Sequence, residues 1–153
     1  MKSFQEFLSE EEKIKEPEFV KVPFKDESEE FKRTAEEFSS SNKEDIEENF
    51  NFLKKMYAES DPQSLTNKQW KQMENTDSWT STSRQKIENA IKANDEPRDI
   101  DSVINEFKSG SVRCPIVIEK EDGTYYLVGG NTRLMVARYL KIAPKIIVIK
   151  TDW

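Results

Sequence analysis

Histidine is absent from this 153-residue chain, and cysteine occurs once, at Cys114. Without imidazole there is no His-based general acid or base and no His-containing zinc site. Any chemistry falls to carboxylates, Lys, Arg, hydroxyls or the lone thiol. One cysteine cannot close an intramolecular disulfide, and no apolar stretch approaches the roughly 20 residues of a membrane span. The first residues also lack the basic and then apolar pattern of a secretory signal. A soluble protein of a reducing compartment with no membrane partner is therefore expected. Cys114 itself, at the start of a β-branched run, reads as a small buried hydrophobe rather than a reactive thiol.

Apolar material is limited too, because 35% of the residues are charged and the mean hydropathy is -0.85. One modest core is what such a chain can bury. The net charge of -6 belongs to the front: residues 1 to 60 hold 17 Asp/Glu against 10 Lys/Arg, and residues 61 to 153 hold 13 against 14. Unspecific wrapping of nucleic acid is disfavoured by that acidic arm, although local basic sites remain open.

Hydrophobic spacing divides the chain into three regions. Over residues 1 to 12, Phe4, Phe7 and Leu8 behind Ser3 predict a short amphipathic leader helix. Residues 13 to 60 read as an acidic, mostly helical arm or linker. Within it Pro17 and Pro23 interrupt alternating charge, and only Phe19-Val20-Lys21-Val22 suggests extended chain. Helices are predicted over 27 to 38 and 43 to 58, with Asn42 as a cap between them. The acidic pairs Glu29-Glu30 and Glu36-Glu37 read as solvated faces. Residues 61 to 153 form the third region. Thr66 is expected to cap a helix carrying Trp70 and Met73; Ser81 or Ser83 a second, with Ile87, Ala90 and Ile91; Asp99 or Asp101 a third, ended by Gly110. Then Pro115-Ile116-Val117-Ile118, the turn Asp122-Gly123 and Tyr125-Tyr126-Leu127-Val128 predict a hairpin. A helix through Leu134, Val136, Ala137 and Leu140 and a buried strand Ile146-Ile147-Val148-Ile149 follow. The fold class expected is α+β.

The junction Gly129-Gly130-Asn131-Thr132-Arg133 carries the chemistry. A strand ending in two glycines and opening a helix lets backbone approach a ligand while the first helical N–H groups point outward. An anion suits that place: Asn131 and Thr132 can cap the helix or donate to phosphate oxygens, and Arg133 can grip phosphate with two parallel hydrogen bonds. The alternative is a plain strand-to-helix connection, with Asn131 an ordinary cap and Arg133 paired to a carboxylate. Arg113 and Lys145 flank the unit, in a stretch (113 to 150) with seven Lys/Arg and three Asp/Glu.

Pro115-Ile116-Val117-Ile118, Tyr126-Leu127-Val128-Gly129-Gly130-Asn131-Thr132-Arg133-Leu134 and Ala137-Arg138-Tyr139-Leu140 together resemble the core of the ParB/sulfiredoxin superfamily, over about a quarter of the chain. The resemblance implies a small mixed sheet with a hairpin and packed helices. It also implies that the turn Gly129 to Arg133 binds phosphate of a nucleotide or nucleic-acid backbone. Members include partition proteins with CTP switches, sulfinic-acid reductases, a free-serine kinase and presumed nucleases, so the reaction stays open; a catalytic member would use a nucleotide with Mg2+. Sulfiredoxins carry cysteine and then histidine inside this turn, where Asn131 and Thr132 stand here, so sulfinic-acid reduction is not expected. A partition protein is expected to continue into a helix-turn-helix domain, which the residues up to Trp153 do not supply.

Two further stretches bear on function. Trp70, Met73, Glu74-Asn75-Thr76-Asp77-Ser78 and Trp79 read first as core anchors around a polar turn and second as a substrate loop. In the second case Glu74 and Asp77 are the carboxylates to consider as base or metal ligand, although two carboxylates alone make a weak metal site. This stretch is similar to one in small phage proteins that precedes a ParB-like core. Met1 to Glu10 resembles the capsid-targeting leader of internal proteins of T-even-like phages, cut after a glutamate, here Glu10. That resemblance implies a phage protein acting in the host cytoplasm or packaged in the capsid. Three functions remain in view: a binder of nucleotide or other phosphate-bearing ligand, with phosphotransfer or phosphodiester chemistry as an extension; an interaction protein engaging a host or virion protein without catalysis; and a DNA-binding nuclease.

Overall fold

In a computed structural model, residues 15–40, 42–93 and 99–153 are described; the expected leader helix over residues 1 to 12 and its cut site lie outside them. Along the chain come β1 (Glu18–Val20), α1 (Ser28–Glu37), α2 (Lys43–Glu59), β2 (Gln63–Ser64), α3 (Asn67–Lys71), α4 (Arg84–Ala93), α5 (Ile100–Lys108), β3 (Ser111–Arg113), β4 (Ile116–Glu119), β5 (Tyr125–Gly129), α6 (Asn131–Leu140) and β6 (Lys145–Lys150). The described chain is thus α+β.

The β-branched run at Ile116 becomes the centre of the larger sheet, whose order is β2-β6-β4-β5. β5 returns antiparallel to β4, and β6 then lies parallel to β4 on its other side. The chain therefore crosses the sheet through α6, which starts where β5 stops. Ile116, Val117 and Ile118 are all buried, as are Ile146, Ile147 and Ile149, so consecutive apolar residues in these strands have both faces covered. α1 packs against β5 and α2 against β6, while α6 packs with α4 and α5.

Capping follows from side-chain chemistry. Asn42 accepts from the Glu44 amide at 2.9 Å, and Asp99 rather than Asp101 accepts from the Ser102 amide at 2.7 Å. Ser83 rather than Ser81 accepts from the Lys86 amide at 3.2 Å. Thr66 and Gln69 form a reciprocal capping box.

Residues 13 to 60, read from sequence as an acidic arm or linker, join the same core from residue 15 onward. Phe19, Phe31, Ala35, Leu53 and Tyr57 belong to the cluster that contains the sheet residues. β1 pairs in parallel with β3, placing Phe19 opposite Val112, and the Phe19 ring meets Phe107 edge-on at 5.9 Å. Phe24 stacks on Phe31 at 4.9 Å, and the Tyr57 hydroxyl donates to the Val22 carbonyl at 2.5 Å. These aromatics offset the low apolar content of the segment and fix residues 23 to 30 against the end of β5. The extended chain suggested at Phe19 to Val22 overlaps β1, whereas the short strands β2 and β3 were not expected: two or three residues are too few to show a period of two.

Candidate anion-binding site

Where β5 hands over to α6, Gly130 takes a left-handed conformation (φ +102°). A Cβ on it would stand 2.7 Å from the Pro115 Cβ and 2.8 Å from the Pro115 Cα. Both the dihedral and the close backbone approach require glycine here. Gly130 is also the N-cap of α6, and a glycine cap offers no side-chain acceptor to the first turn. Asn131 is thereby the first helical residue rather than the cap that one reading of the sequence made it. Its Oδ1 accepts instead from the Thr76 hydroxyl at 2.6 Å.

All five residues from Gly129 to Arg133 line one cavity of about 620 Å³, within the size range of small-molecule sites. Thr132 and Arg133 are each 7% exposed, so Arg133 is a buried cation at the cavity wall. The cavity is also lined by residues from just before and within α1, Lys25, Asp26, Glu27, Ser28, Glu29, Glu30 and Arg33, with Arg113 from β3. The lining carries four basic and four acidic side chains. Glu30 contacts Arg33 and packs its Cγ 3.5 Å from the place a Gly129 Cβ would take.

Glu27 is buried, and its Oε1 lies 3.6 Å from Arg113 Nη1. Burial pushes its carboxyl above the usual carboxylate range; the charges of Arg133 and Arg113 pull it back, and Glu30 and Asp26 push it up further. Burial also lifts the Cys114 thiol, to about 11, against the pull of Arg133 and Lys145. Native protein at pH 8 should therefore react with a thiol reagent roughly 100-fold more slowly than denatured protein, a comparison that a colorimetric thiol assay reads directly.

The Trp70 to Trp79 stretch braces this site. Met73 bridges to Tyr125, and the Asn75 amide grips Leu127 on both sides, donating to its carbonyl at 2.9 Å and accepting from its N–H at 2.7 Å. Thr76 holds Asn131. The buried Trp70 indole donates to Ser78 at 2.7 Å. Arg138 of α6 donates to the Trp79 carbonyl at 2.6 Å and lies 3.8 Å over its ring. Asn75→Ala should cost roughly 1–2 kcal/mol in urea unfolding, because two backbone groups of β5 lose their partner.

The carboxylates singled out in that stretch are not brought to the cavity. Glu74 points outward to Lys120 at 3.1 Å, and hydrogen bonds from Thr124 and Lys120 hold its carboxyl below the usual range. Asp77 is exposed, and its backbone carbonyl serves Thr80 in the following turn. No group of three or more His, Cys, Asp or Glu among the described residues is placed to hold a metal ion. Lys145 faces solvent at the start of β6 and is not among the lining residues. Of the carboxylates that line the cavity, Asp26, Glu27, Glu29 and Glu30, Glu27 is the buried one. The sequence offers no signal for it, since it stands in an acidic run like any solvated helix start.

The chain matches no family model, no curated protein and no solved structure. Among the described residues no helix is long and apolar enough to cross a membrane.

Proposed function

We propose that this chain is a phage-encoded protein with a ParB/sulfiredoxin-like core that binds a nucleotide or other phosphate-bearing ligand at Gly129 to Arg133. The observation that carries the reading is the convergence of Gly130, Thr132, Arg133 and Arg113 on one cavity, at the start of a helix whose cap has no side-chain acceptor. A helix start favours an anion through its outward amides and its dipole, and buried Arg133 adds charge where water screens it least. The hairpin, the Gly-Gly turn, the crossover helix and the parallel return strand support the superfamily resemblance. Phosphotransfer or phosphodiester chemistry would extend the binding role.

Calorimetric titration of inorganic phosphate and ribonucleoside phosphates into wild type and Arg133→Ala tests it. Loss of a charge-assisted contact should weaken binding roughly 10- to 100-fold. Equal affinity in both proteins removes the turn as the site.

A further inference from the structure

Thr132, the second residue of α6, carries two hydrogen-bond donors that the fold itself does not use. The first helical bond runs from the Leu134 N–H to the Gly130 carbonyl at 2.9 Å, so the Thr132 N–H lies ahead of the ladder with no intrahelical acceptor. Its side chain is only 7% exposed. Among the described residues its hydroxyl makes no hydrogen bond, yet it is not one of the atoms shut off from solvent, as Glu27 Oε1 is. It lines the cavity, which is where its open surface lies. Polar groups this deep ordinarily find partners, and an amide with a hydroxyl from one residue at a helix start suits a single phosphate group.

The rest of the lining limits how many phosphates can follow. Its four basic and four acidic side chains balance, and two of the cations are already engaged. Arg33 contacts Glu30, and Arg113 Nη1 stands 3.6 Å from Glu27 Oε1. Asp26 and Glu29 are exposed and Glu30 half-exposed, so these carboxylates are open to an occupant. The Glu30 carboxyl carbon lies 3.8 Å from the place a Gly129 Cβ would take, which sets a negative charge beside the turn itself. One phosphate is offset by the start of α6 and Arg133. Each further phosphate would meet like charge where water screens it poorly. The volume of about 620 Å³ nevertheless exceeds what a phosphate ion fills, which leaves room for an organic part.

We infer that this cavity takes a ligand with one phosphate group on an organic part that adds no further negative charge, holds that phosphate through the Thr132 amide and hydroxyl, and turns away nucleoside di- and triphosphates. The inference rests on the anion-site reading above and names its substrate class. Nucleoside monophosphates and phosphosugars share this chemistry.

Calorimetric titration of the full chain with inorganic phosphate, ribose 5-phosphate and ribonucleoside 5′-mono-, di- and triphosphates tests it. EDTA is present throughout, so that no divalent cation offsets the polyphosphate charge. Wild type should bind a monophosphate ester at least about tenfold more tightly than the triphosphates or inorganic phosphate. Ribose 5-phosphate matching the nucleoside monophosphates points to a phosphosugar ligand, and monophosphates exceeding it point to a nucleotide. Thr132→Val keeps the shape but removes the hydroxyl, and should weaken the ester roughly tenfold, whereas Thr132→Ser should keep its affinity. Glu29→Gln removes one lining charge without touching the Arg33 pair, and should strengthen triphosphate binding more than monophosphate binding. Circular dichroism checks that each variant folds, and the wild-type ligand series stands without them. Triphosphates or inorganic phosphate binding as tightly as the esters overturns the inference. So does a folded Thr132→Val with unchanged affinity, or a Glu29→Gln ratio equal to that of wild type. In each of these cases phosphate binding that depends on Arg133 leaves the anion site standing. Wild type binding none of these ligands overturns both.

Discussion

Gly130→Ala should lower stability by roughly 3 kcal/mol or more, the largest single effect expected in this protein. The residue sits at φ +102°, where a side chain is strained whatever the surrounding space. The space is also closed, with the new Cβ 2.8 Å from the Pro115 Cα. A proline backbone flanking the central strand cannot retreat without moving β4. Urea unfolding followed by circular dichroism reads the loss. A variant as stable as wild type would mean that β5 and α6 meet in some other geometry. Gly123→Ala provides the contrast: it is strained at φ +85° but has nothing within 4 Å of the added carbon, so it should cost clearly less.

The second large effect concerns the buried charges. Arg133→Ala should cost roughly 3 kcal/mol at neutral pH, because buried Glu27 then loses the stronger of the two arginine charges that favour its carboxylate. Glu27 has a carboxyl raised above its ordinary value, so the native state holds a proton more tightly than the unfolded chain does. Its contribution to stability is full below about 4.5 and is lost as pH rises through the folded value. Removing Arg133 withdraws a charge that lowers that value, which extends the loss. The penalty should therefore be greatest at neutral pH and shrink as acid protonates Glu27. Adding Glu27→Gln should recover much of the neutral-pH penalty. A double-mutant cycle in urea measures this coupling; additive costs, independent of pH, would show that the two side chains do not sense one another.

Long elements with strong periodic patterns were legible from residues alone. Phe31 and Ala35 mark the buried face of α1, Leu53 and Tyr57 that of α2, and the run Ile146 to Ile149 reads as a strand covered on both sides. The Asp122-Gly123 turn and the caps at Asn42 and Thr66 have local causes, since each depends on one side chain and its nearest amides. Three-residue strands such as β1 and β3 do not, because their pairing joins residues about ninety positions apart. Gly129 to Arg133 could be picked out as a turn, yet nothing local shows that Gly130 itself supplies the cap or that Asn131 is bound to Thr76.

Composition alone set the chemical inventory: no imidazole, one thiol, an acidic front and enough apolar residues for a single core. Patterning set the α+β class and the position of the glycine turn, because helix and strand periods arise from backbone geometry that each segment carries with it. Tertiary packing decided which carboxylates share a cavity with Arg133. Glu74 and Asp77 were turned outward, and Glu27 was drawn in when Phe24, Phe31 and Tyr57 packed together. Charge in a sequence has no address until the apolar groups beside it are buried, since that burial chooses which neighbours leave water.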